Sequence, residues 1–136
     1  MLHQETNEYG VISIDNTFLN QLIKDSLRDY EGKAWSANYK GRSQDFLVRL
    51  GTFDALSDIK VSESERGIKI RIPLMVKFGL SMSTLADHVI EYIVDTLKND
   101  LGLKIDEIEI IITGMIMSKG IAKRSVVFRY IGNAQD

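Results

Sequence analysis

The stretch that decides the fold runs Ile68-Lys69-Ile70-Arg71-Ile72-Pro73-Leu74-Met75-Val76-Lys77-Phe78. Every even position is apolar, and the odd positions carry Lys69, Arg71, Pro73, Met75 and Lys77. Successive side chains of a strand point to opposite faces, so this period predicts a long strand with one dry face and one wet face. Pro73 has no N–H to give to a ladder, which predicts a sheet edge or a bulge at that point.

The reading extends outward on both sides. Before the long strand, Ile59-Lys60-Val61-Ser62 begins a strand, and Glu63-Ser64-Glu65-Arg66-Gly67 is a polar hairpin loop ending in glycine. After it, Gly79-Leu80-Ser81 turns into a helix capped by Ser81, Ser83 or Thr84. Met82, Leu85, Ala86, Val89, Ile90, Ile93, Val94 and Leu97 cover one half of that helix, and Asp87, Glu91, Asp95 and Lys98 the other. Gly102 stops it. Residues 105–113 form the next strand, with Ile108, Ile110 and Ile112 on one face and Glu107, Glu109 and Ile111 on the other. If this strand pairs with residues 68–78, Glu107 and Glu109 lie opposite the bases of the wet face. Such cross-strand pairs contribute roughly 0.2–1 kcal/mol each and guide register more than they stabilise.

Toward the N-terminus, Gly10-Val11-Ile12-Ser13-Ile14 reads as a strand. Phe18, Leu19, Leu22, Ile23, Ser26 and Leu27 then recur at helical spacing and predict a helix over about 17–31, with Asp15 or Asn16 as cap and Gly32 as stop. Residues 34–39, which include Trp35, fit either a short strand or a loop, residues 41–57 an insertion, and residues 125–131 a last strand. The order β-α-β-β-α-β predicts an α+β fold in two layers, two amphipathic helices on one face of a small mixed or antiparallel sheet, most simply as a split β-α-β unit. One domain over 1–136 is expected, with an insertion near 41–58 and a C-terminal extension from about 116.

Composition narrows the function. The 136 residues are 44% hydrophobic and 26% charged, which fits a globular domain and excludes disordered, collagen-like and coiled-coil chains. Seventeen Lys and Arg against nineteen Asp and Glu give a net charge of −2, which excludes a domain-wide polycation built for nucleic acid. The absence of cysteine removes disulfides, thiol nucleophiles, iron–sulfur clusters and cysteine-based zinc sites. The polar N-terminus lacks a signal-peptide pattern, and no apolar run approaches the ~18 residues of a membrane span. The expectation is a soluble, cytoplasmic protein.

No constellation for catalysis stands out. His88, Glu91 and Asp95 fall at i, i+3 and i+7 on the polar half of the second helix, where a solvated face is the simpler reading. There is no nucleophile elbow, and Gly114 to Gly120 has neither the spacing nor the context of a phosphate loop. No catalytic, cofactor-binding or metal-ligating residue is therefore expected. Two surfaces remain. Pro73, Met75 and Ile111, with Trp35 nearby, put apolar groups on the wet face of the sheet and are candidate partner-binding residues. Lys119, Lys123, Arg124 and Arg129, beside Phe128 and Tyr130, make the tail locally basic and are candidate contacts for RNA or anionic headgroups.

The succession of segments resembles the alkaline-shock, Gls-type family of bacterial envelope stress response proteins. The residues that carry the likeness are Gly10 to Ile14, the helix ending at Glu31-Gly32, the run Ile70 to Gly79, and the Leu101-Gly102-Leu103 turn into Lys104-Ile105-Asp106-Glu107-Ile108-Glu109-Ile110. The resemblance implies a cytoplasmic protein linked to cell-envelope homeostasis and without enzymatic activity. It also implies a protein partner, either a membrane-anchored relative or a second copy of the chain. The expected function is thus a non-enzymatic interaction module. A nucleic-acid or anionic-membrane adaptor using the basic tail is the alternative.

Overall fold

The computed structural model describes residues 3–7, 10–14, 16–37 and 59–132. In chain order the elements are β1 (His3–Asn7), β2 (Gly10–Ile14), α1 (Asn16–Ser26), a 3-10 turn (Arg28–Tyr30), β3 (Ala34–Ser36), β4 (Lys60–Ser64) and β5 (Gly67–Lys77). They continue with α2 (Met82–Val94), a π-helical turn (Asp95–Asp100), β6 (Ile105–Met117) and β7 (Gly120–Ile131). The insertion expected near 41–58 lies outside the described residues. Among the described residues no helix is long and apolar enough to cross a membrane.

The main sheet is five-stranded and mixed, in the order β3-β5-β6-β7, with β4 also paired to β5. β5 and β6 run parallel and are joined through α2, whereas β3, β4 and β7 are antiparallel to their neighbours. β4 and β3 share one edge of β5. β4 takes Gly67 to Arg71 and β3 takes Leu74 to Val76. Pro73 stands between the two, and its carbonyl accepts from the Ala37 N–H at 3.0 Å. A strand residue presents its N–H and C=O to the same side. The donor that proline lacks is therefore missing on the β3/β4 side, and the β6 ladder is not touched.

One arrangement departs from the expected topology. β2 pairs with β1 in a separate two-stranded sheet and does not join the main one, so no split β-α-β unit forms. Two other elements are longer than their periodicity indicated. β6 runs on to Met117, and β7 begins at Gly120, closing a hairpin through Ser118 and Lys119. α1 is shorter: it ends at Ser26, where the Leu27 N–H divides between the Ile23 and Lys24 carbonyls and the chain tightens into the 3-10 turn.

The core is built from the even positions of β5. Ile68, Ile70, Ile72, Leu74 and Val76 share one cluster with Leu19, Leu22 and Ile23 of α1, Leu85, Val89 and Ile93 of α2, and Ile108, Ile110 and Ile112 of β6. Ser81 caps α2 by accepting from the Thr84 N–H at 3.3 Å. Gly102 is left-handed, at φ +69°, and ends the π-helical turn. Phe78, placed at the end of the alternation by sequence, falls past the end of β5 and is 64% exposed.

Candidate functional site

The second face of the sheet carries the notable chemistry. A one-residue register shift between Ile68 and Lys69 carries β6 past Asp106. The shift lets Ile105 and Ile108 both join the core while Glu107 and Glu109 turn to the other face. There the register sets Lys69 beside Glu107 and Arg71 beside Glu109 from β5, and Arg129 beside Glu109 from β7. The side chains follow the register. Arg71 Nε donates to Glu109 Oε1, and Arg129 Nε donates to Glu109 Oε2 at 2.8 Å. Lys69 Nζ lies 3.7 Å and Arg129 Nε 3.4 Å from the carboxylate of Glu107.

Glu109 is the hub. Its side chain is 12% exposed, and a guanidinium engages each carboxylate oxygen. Burial favours its neutral form, but the hydrogen bonds from Arg129 and Arg71, with the charges behind them, outweigh burial and hold the carboxyl below the ordinary glutamate range. A carboxylate held by two guanidinium groups stays ionised near neutrality. The cluster floors a trough of about 660 Å³ lined also by Lys60 and Ser62 of β4.

The four residues expected to form a partner surface are brought together. Trp35 pairs with Met75, and Pro73 pairs with Ile111, on the C-terminal half of β5. Their exposure corrects the expectation. Met75 is fully buried, Ile111 is 5% exposed, Pro73 is buried and Trp35 half-buried. Neither Met75 nor Ile111 belongs to the helix-side core. This half of β5 is therefore covered on both faces, and the apolar side chains there are interior to the chain.

The basic tail is divided. Lys119 lies in the hairpin turn, and Lys123 and Arg124 are exposed on β7. Arg129 is held by Glu107 and Glu109, so it is a member of the ion cluster and not a spare cation. Period-two reading of Val127-Arg129-Ile131 against Val126-Phe128-Tyr130 was the available signal for that placement. Glu91 of α2 and Asp95 of the π-helical turn are exposed, and the half-buried His88 ring of α2 meets Tyr30 edge-on at 5.3 Å. Among the described residues no group of His, Asp and Glu is placed to hold a metal ion.

The model of the alkaline shock protein 23 family, described by a cell envelope-related function, matches residues 4–117. No curated protein and no solved structure matches the chain.

Proposed function

The chain belongs to the alkaline shock protein 23 family, which has a cell envelope-related function, and from that premise we propose that it works as a cytoplasmic, non-enzymatic interaction module acting through protein–protein contacts. The observation that carries this reading is the state of Glu109. Its carboxylate is locked between Arg71 and Arg129 with its pKa lowered, as in a structural ion pair. A general acid or base working near pH 7 needs its pKa moved toward neutrality, which is the opposite direction. The partner is a protein, either a membrane-anchored relative or a second copy of the chain, and it brings the module to the envelope.

The test is cross-linking of the tagged full-length chain in its native cells, followed by mass spectrometry of what copurifies. A stoichiometric protein partner, recovered in part with the membrane fraction, is expected. A chain that runs as a solitary monomer with no cross-linked partner overturns the reading.

A further inference from the structure

We propose that the outer edge of β7, over Val126 to Ile131, takes up an acidic, extended segment of a partner protein as an added strand; this rests on the interaction-module reading and names the surface and the chemistry of its partner. β7 is the last strand of the main sheet, 12 residues long, and on its far side no described strand pairs with it. In an antiparallel strand every second residue aims its N–H and C=O away from the neighbour it already pairs with, so this edge is a row of unused backbone donors and acceptors. The opposite edge of the sheet is filled by the 3-residue β3 and the 5-residue β4.

Side chains select the occupant. Every charged residue from Ser118 to Ile131 is basic, in a chain whose net charge is −2. Arg129 is engaged by Glu107 and Glu109, so the cations open to a partner are Lys123 and Arg124, just before Val126, and Lys119 in the turn. A second copy of β7 laid parallel and in register against this edge sets Lys123 and Arg124 against their own copies, which is destabilising across strands. An acidic strand meets them with complementary charge. Val127 and Ile131, 41% and 42% exposed, stand on the face away from the helices and give alternate apolar residues of the incoming strand a place to rest. Nucleic acid fits less well. Phe128 and Tyr130, the aromatics a base would stack on, are partly buried against the core, and phosphates, which only accept, leave the edge's carbonyl groups without donors. Between β6 residues Ile112 and Gly114 the register shifts, and β7 residues Arg124 and Ser125 fall at that irregularity. The irregularity divides the ladder into Gly120–Lys123 and Val126–Ile131, and the longer regular run gives the added strand about six residues, an ordinary strand length, with Lys123 and Arg124 at its start.

The experiment uses the full chain and a fluorescein-labelled peptide of alternating glutamate and valine, seven residues long. Saturable binding by anisotropy is expected, with amide shifts confined to β7 and its neighbours in a nitrogen-15 spectrum. Methylating alternate peptide nitrogens, exchanging glutamate for lysine in the peptide, or introducing Lys123→Glu with Arg124→Glu in the chain should each weaken binding about tenfold or more. The proposal is overturned by absence of binding, by equal binding of the N-methylated peptide, or by amide shifts centred elsewhere. Equal displacement of the peptide by a twelve-residue oligothymidylate also overturns it, since the edge would then be a general anion patch. The cellular cross-linking separates the two readings. A Lys123→Glu, Arg124→Glu chain that still captures the wild-type partner sinks the β7 edge and leaves the interaction module standing.

Discussion

At the residue scale the molecule turns on two side chains whose surroundings oppose their sequence positions. Glu109 sits on the face expected to be wet, yet it is nearly enclosed and ionised. Its lowered pKa sets the sign of a pH effect. Between the lowered value and the ordinary glutamate value of about 4.3, the unfolded chain binds more protons than the folded one. The contribution of Glu109 is thus complete above the ordinary value and lost as pH falls through the folded one. Glu109→Gln is expected to cost on the order of 1–3 kcal/mol at pH 7, and the difference from the parent should shrink on acidification. Urea unfolding at pH 7, 5, 4 and 3 measures it, and a gap constant across the series refutes the assignment. Met75 is the second case. Its neighbours on one side of the alternation are Lys69, Arg71 and Lys77, yet it is fully buried. Met75→Glu should therefore cost several kcal/mol, because a carboxylate there has no water. Met75→Leu should cost less than about 1.5 kcal/mol. Thermal melts of both variants decide it, and a Glu variant as stable as the parent means that the face is open.

At the element scale, the strands and helices with a strong period were legible and their partners were less so. Ile68 to Val76 and Leu85 to Ile93 declare their buried faces, because the spacing of apolar groups is a property of the segment itself. The pairing of Glu107 and Glu109 with Lys69 and Arg71 was legible too, since opposite charges at matched positions of two alternating strands admit few registers. The burial of Pro73, Met75 and Ile111 is a tertiary property, which the period of their own strand does not report. The same holds for β2. Its period says strand, but which edge accepts it depends on β1, whose polar His3–Asn7 carries no strand pattern. The β4–β5 hairpin offers a local test. Gly67 has φ +127°, and a Cβ on it would stand 2.6 Å from the Lys104 carbonyl oxygen, the group that accepts from the Ile68 N–H. Gly120, at the β6–β7 turn, has a similar φ of +132° with open space around it. Backbone strain is common to both, at about 1–3 kcal/mol, whereas the clash belongs to Gly67 alone. Gly67→Ala should lower the urea midpoint well beyond Gly120→Ala, and equal effects would show that strain and not the Lys104 contact sets the requirement.

At the scale of the whole molecule the question is whether β7 is an appendage or part of the fold. The family match ends at residue 117, three residues before β7 begins. The structure argues for integration. β7 pairs along β6 from Glu107 to Met117, and Val126, Phe128 and Tyr130 pack against the core in register with Ile112, Ile110 and Ile108. Arg129 supplies one of the two guanidinium groups on Glu109. A chain ending at Met117 loses all of these together. It also leaves β6 as an edge strand whose last eight residues, Ile110-Ile111-Ile112-Thr113-Gly114-Met115-Ile116-Met117, hold no charge and no proline. Such an edge is a template for intermolecular pairing. The 1–117 fragment should therefore unfold at a lower temperature than the full chain and elute as large species in size-exclusion chromatography. The double variant Lys123→Glu, Arg124→Glu, which changes only exposed side chains of β7, should remain folded with a melting temperature close to that of the parent. The contrast separates the structural role of β7 from its charge. A monomeric 1–117 fragment that melts cooperatively at the full-length temperature would make β7 an ornament on a complete domain.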